Sequence, residues 1–224
     1  MERRPRVVRG GRTTRPRMNT VAERNRLPLE SLHPGPGKRR SLDGLVLAPE
    51  ALARFNRLLV ELRPEAPEIS ADQVATLGRW LLSLPPARAE AVLAERLCRA
   101  EPLRRMLTDD DWEAEPGLRE RSALLLGYLQ EVHDLIPDHL PLIGRLDDAL
   151  LVELAWDSFA AEAADYQDFC RFRSERRPRG TPAERRLAWE NAVLAEAALL
   201  QQRRELRARP YAAGEPLRPM IRVS

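Results

Sequence analysis

Two prolines, a glycine and four aspartates are packed into one short stretch between two long apolar helical patterns: Asp134-Leu135-Ile136-Pro137-Asp138-His139-Leu140-Pro141-Leu142-Ile143-Gly144-Arg145-Leu146-Asp147-Asp148. Proline has no amide hydrogen and disfavours the helical state at the residue before it, so Pro137 and Pro141 force the chain out of helix between Ile136 and Gly144. The chain must therefore reverse direction there. Gly144 is expected to supply a positive φ, and Asp147 or Asp148 to accept hydrogen bonds from the opening amides of the helix that follows. Asp134, at a helix end, and Asp138, in the turn, are expected to bond loop amides or Arg145, with Leu140, Leu142 and Ile143 plugging the hairpin from beneath. Asp134, Pro137, Asp138, Pro141, Gly144, Asp147 and Asp148 thus form one candidate structural loop.

Helical periodicity extends on both sides of this loop, and an all-α bundle of about six to seven helices around one core is expected. Leu52, Phe55, Leu59 and Leu62 make one stripe that ends at Pro64 and Pro67. Val74, Leu77, Leu81 and Leu84 make a second, opened by a capping box of Ser70 and Gln73 and closed by Pro85-Pro86. A third helix is expected from about Ala87 to Ala100, with Pro102 interrupting before a short turn at Leu103–Leu107. The acidic step Thr108-Asp109-Asp110-Asp111 resembles a helix cap, and Pro116-Gly117 delays a main helix from about Leu118 to Ile136. Beyond the loop, Ala149, Val152, Trp156, Phe159 and Ala163 mark one stripe, which Leu150, Leu151 and Leu154 widen. Residues 48–175 are expected to form the helical domain. Residues 176–181 form a basic linker, and 182–208 a C-terminal helix opened by Thr181-Pro182-Ala183-Glu184. Residues 209–224 read as an irregular tail, and no internal repeat or sustained heptad stands out.

Charge is unevenly spread along the chain. Residues 1–47 carry twelve Arg or Lys against Glu2, Glu23, Glu30 and Asp43, a net +8, while the whole chain is +3. This Arg/Pro/Gly-rich segment reads as a disordered arm, since neither a helical nor an alternating period appears in it. Such an arm can contact its own acidic body, an anionic lipid surface or phosphate backbones. All but one of the 37 basic residues are arginine, a compositional bias that weakens arginine as a sign of nucleic-acid binding. Cys98 and Cys170 lie in separate helical patterns and are expected to pack as buried, unpaired thiols, which points to a reducing compartment. No export signal and no membrane-spanning stretch is read, so a cytoplasmic location is expected, with a peripheral seat at the inner membrane as its extension.

The pattern Tyr128…Asp134-Leu135-Ile136-Pro137-Asp138…Pro141…Gly144…Asp147-Asp148-Ala149 resembles the YkvA-like bacterial domain of unknown function over about residues 118–159. Val132 stands where that family usually has a proline shortly before the first aspartate. The resemblance implies a small helical hairpin and no established activity, and members are often catalogued as membrane-associated.

Several chemistries can be weighed on these residues. Asp134, Asp138, Asp147 and Asp148 could converge on a hard divalent cation and serve a phosphoester hydrolase, but caps and turn acceptors explain the same carboxylates without an ion. His133 and His139 flank them, yet a histidine-rich centre needs more histidine than these two and His33 supply. Neither a Gly-x-Ser-x-Gly elbow nor a phosphate-cradling glycine loop is present. Arg171-Phe172-Arg173 and Arg176-Arg177-Pro178-Arg179-Gly180 offer only a thin arginine–aromatic alternation for nucleic acid, and a solvated linker is the simpler reading. What remains is a non-catalytic interaction or scaffold module without a cofactor, contacting a protein or an anionic membrane surface. Tyr128, Trp156, Trp189 and the tail Pro216–Ile221 are candidate contacts that also suit core packing.

Overall fold

A computed structural model describes residues 27–29, 41–42, 44–131 and 135–208. They form an all-α protein with one short hairpin: β1 (Ser41–Leu42), β2 (Leu45–Val46), α1 (Pro49–Leu62), α2 (Ala71–Leu82), α3 (Pro86–Leu97), α4 (Ala100–Thr108), α5 (Pro116–Tyr128), α6 (Leu146–Ala155), a 3-10 turn (Trp156–Ser158), α7 (Ala160–Arg176) and α8 (Pro182–Ala208). These residues divide into two units, one within 1–100 and 127–155, the other within 101–126 and 156–224.

The first unit is organised around α6. Leu146, Ala149, Leu150, Leu151, Val152 and Ala155 of this ten-residue helix are all buried, the all-round burial its wide apolar arc requires, and it packs on α1 and α3. Proline at the first position sets the helical φ of α1, which buries Phe55, Leu59 and Leu62. The α1–α2 connection is fastened by Asn56, whose side chain exchanges two 2.9 Å hydrogen bonds with the backbone of Ile69. Ser70 and Gln73 form the expected capping box, with the Gln73 amide donating to Ser70 Oγ at 3.3 Å and the Ser70 amide to Gln73 Oε1 at 2.9 Å. Antiparallel β1 and β2 pair Ser41 with Val46 and Leu42 with Leu45, and Leu42 packs so tightly on α2 that a Cβ at Gly78 would lie 2.3 Å from its side chain. Arg96 is fully buried on α3. Its guanidinium lies 3.4 Å from Glu153 of α6, which also takes a 2.9 Å hydrogen bond from Arg99. Burial, with Arg99 adding a like charge, holds the Arg96 pKa below its usual value against the pull of Glu153.

The second unit is built on aromatic packing. Trp112, in the α4–α5 connection, has its ring centroid 5.5 Å from Tyr166, 5.3 Å from Phe169 and 5.5 Å from Trp189, so α7 and the start of α8 close over it. Trp112 Nε1 donates to Glu162 at 3.0 Å and Trp189 Nε1 to Asp168 at 2.9 Å, which satisfies the polar edge of each buried indole. The Arg186 guanidinium sits 4.3 Å above the Trp112 ring. Thr181 and Glu184 form the expected capping box of α8.

Several sequence expectations are corrected. Burial extends upstream of residue 48, to Leu27, Leu42 and Leu47, although most of the 1–47 segment lies outside the described residues, as does the tail 209–224. A single core across 48–175 gives way to two units. Pro102 does not interrupt a helix: it lies in the first turn of α4, where no amide partner is lost. The acidic step 109–111 caps nothing. Instead α5 starts at Pro116 and Glu115 caps it, accepting from the Gly117 and Leu118 amides at 3.0 and 2.9 Å. The main helix stops at Tyr128 rather than Ile136, and the helix after the loop breaks into α6, a 3-10 turn and α7, leaving Trp156 half-buried. Cys98 is exposed and Cys170 half-buried, so neither is a packed core thiol.

Candidate functional site

The loop between α5 and α6 is tied together by one carboxylate oxygen. Asp147 Oδ2 accepts from the Tyr128 hydroxyl at 2.9 Å and from the amides of Leu135 and Ile136 at 3.0 Å each. Those two amides bond Asp147 and not carbonyls one helical turn back, so Leu135 and Ile136 are not part of α5. The side chain is fully buried, and its second oxygen, Oδ1, has no hydrogen-bond partner among the described residues. Burial pushes the Asp147 carboxyl up to about 7, with the negative charge of Asp148 adding to it, against the three donors that favour ionisation. Asp147 therefore fastens the far side of the loop and does not cap its own helix as expected.

The other predicted residues take separate places. Asp148, 2% exposed, accepts from the Arg145 guanidinium at 3.3 Å, so Arg145 serves Asp148 and not Asp138. Asp138 sits in a turn in which the Leu140 amide donates to the Pro137 carbonyl at 3.1 Å, and its Oδ1 is buried without a partner among the described residues. Pro141 is exposed, and its carbonyl accepts from the Ile143 amide at 2.8 Å. Gly144 does not adopt a positive φ. That conformation falls on Leu142, at φ 66°, and Gly144 is required for space: a Cβ there would lie 2.4 Å from the Asp138 carbonyl oxygen and 2.8 Å from that of Leu140. Ile143 is buried as the plug, while Leu140 and Leu142 are half-buried beside a cleft of about 390 Å³. Glu90, Leu93, Ala94 and Leu97 of α3 form its other wall, and exposed His139 lies at it.

Asp134 and His133 lie outside the described residues, so the four-carboxylate set is seen only in its last three members. Of these, Asp147 turns one oxygen to three protein donors and Asp148 turns one to Arg145. Among the described residues no three His, Cys, Asp or Glu side chains gather closely enough to hold a metal ion.

Two features of the second unit were not legible as a site. Asp109 and Asp111 bind the Arg173 guanidinium at 2.7 and 2.8 Å, Arg185 also pairs with Asp111, and the Tyr166 hydroxyl donates to Asp109 at 2.9 Å. Against the opposing effect of burial, these arginines hold both carboxyls below their usual range. Arg173 of the Arg171-Phe172-Arg173 run is thus committed to an internal ion pair, and Arg171 pairs with Asp168. The second feature is α8, which is anchored at Trp189 and has no buried residue from Glu190 to Ala208. No family model matches the chain, nor does any curated protein or solved structure.

Proposed function

We propose that this chain is a non-catalytic helical interaction module of the YkvA-like kind, acting in the cytoplasm as a scaffold. The observation that carries the reading is Asp147: a carboxylate reagent must present oxygen to a substrate or ion, whereas this one is fully buried and gives one oxygen to three donors of its own loop. Asp109 and Asp111 are likewise occupied by arginines of their own unit. In contrast, most of the large apolar side chains left uncovered, Leu187, Val193, Leu194, Leu199, Leu200 and Leu206, lie on α8, where a partner helix can dock. No helix among the described residues is long and apolar enough to cross a membrane, and the basic segment 1–47 suits an anionic membrane surface as a second contact.

Calorimetric titration of the full chain with Mn²⁺ or Mg²⁺, beside a phosphoester-hydrolysis assay, tests this reading. The expected result is no stoichiometric binding and no turnover. Metal-dependent turnover lost in Asp138→Asn and Asp148→Asn would replace the scaffold by a hydrolase.

A further inference from the structure

We propose that α8 joins two copies of this chain as an antiparallel helix pair, an inference that rests on the interaction-module reading and names its partner. The helix spans 27 residues, but among the described residues only its beginning is packed, through the Thr181 cap, the Trp189 indole and the Arg185 and Arg186 contacts, with Glu196 also within electrostatic reach of Arg171 on α7. Every residue from Glu190 to Ala208 is exposed, including Val193, Leu194, Leu199, Leu200 and Leu206 at 41 to 68%. Between Ala192 and Leu200 the only charge is Glu196. A projecting helix this rich in Ala, Leu, Glu, Gln and Arg forms on propensity, and covering its exposed leucines in water adds to that stability.

Of the uncovered residues, Leu199 and Leu206 share one face with a stripe of small residues, while Val193, Leu194 and Leu200 lie off it, and it is the shared face that selects the partner. Ala188, Ala192, Ala195, Leu199, Gln202 and Leu206 recur at alternating spacings of four and three, too few turns for a sustained heptad but a short seam of the kind on which two helices pair, with one polar position to fix register. Glu196 and Arg203 hold equivalent flanking positions, one heptad apart. The charged residues are sorted along the helix, with Glu190 and Glu196 in the first part and Arg203, Arg204 and Arg207, with Glu205, in the second. A parallel pair would set arginines against arginines. An antiparallel pair sets Glu196 of each copy against Arg203 of the other, places Ala195 against Leu206, and opposes the two helix dipoles. It also closes on itself by a two-fold axis, so the same surface serves both copies.

Analytical ultracentrifugation of the full chain should give the mass of two 25.5 kDa chains. Leu199→Glu with Leu206→Glu should give one, with helical circular dichroism and the Trp112 environment retained. Glu196→Arg alone and Arg203→Glu alone should each weaken association about tenfold, since two symmetry-related pairs turn repulsive, and the double exchange should restore it. A monomeric wild type, or a dimer indifferent to the exchange, overturns the proposal. So does a monomer that floats with anionic phospholipid vesicles through Leu199, although that outcome leaves the interaction-module reading standing. Metal-dependent turnover would end that reading and leave the dimer measurement untouched.

Discussion

Replacing Asp147 by asparagine should change how stability depends on pH more than it changes stability itself. The folded-state pKa of Asp147 is about 7 against an ordinary value of 3.8, so between these limits the folded protein keeps a proton that the unfolded chain releases. Stability attached to that proton is complete below pH 4 and is lost as pH rises through 7. At about 1.4 kcal/mol per unit, a displacement of some three units costs the wild type about 4 kcal/mol by pH 8. That is a large part of the 5–15 kcal/mol typical of a domain. Protonation fits the geometry, since the proton can reside on Oδ1, leaving Oδ2 to its three donors. Asparagine keeps a carbonyl oxygen for those donors and carries no charge. Its stability, measured by urea denaturation followed by circular dichroism, should therefore fall below wild type by about 1–2 kcal/mol at pH 5, the cost of an extra buried amide donor. At pH 8 it should equal or exceed wild type. Parallel profiles for the two proteins, or a wild type that gains stability between pH 5 and 8, would refute the argument that burial outweighs the hydrogen bonds at Asp147.

Two further outcomes follow from close packing. Gly144→Ala should lower stability by about 1–3 kcal/mol in thermal denaturation, because the new methyl meets the rigid Asp138 and Leu140 carbonyls and not a movable side chain. Trp112→Ala should cost about 3–5 kcal/mol, since it removes the ring on which Tyr166, Phe169, Trp189 and Arg186 converge, and the blue-shifted tryptophan emission of the second unit should weaken with it.

Local rules read the helix starts well and the helix ends poorly. The Ser70–Gln73 and Thr181–Glu184 boxes stand where the sequence puts them because both partners lie within four residues of one another. Pro49, Pro86 and Pro116 open α1, α3 and α5 by an equally local rule, although the sequence alone suggests that Pro86 closes the preceding helix and that Pro116 delays the following one. The expected end of α5 at Ile136 failed because periodicity continued past the true end, whereas the Leu135 and Ile136 amides are bonded by Asp147, eleven residues beyond Ile136, which no local rule links to them. The same limit applies to Asp109 and Asp111, which look like a cap beside Thr108 but are spoken for by Arg173, 62 to 64 residues away.

In the loop, several residues take roles other than those expected of them. Gly144 is there for space and the positive φ falls on Leu142, although L-chirality disfavours a leucine in that region. Sequence marks where a backbone must depart from helix, but the choice of residue that bears the unusual dihedral depends on which side chain the fold can bury. Here Ile143 is buried and Leu142 lies half-buried at the cleft beside α3, so the turn places its strained residue next to the one that plugs the hairpin. The same division extends to function: acidic residues draw attention because they are chemically capable, and in the described residues those with the deepest burial are fasteners. The uncovered leucines of α8, which carry no reactive chemistry, are the surface proposed for a partner.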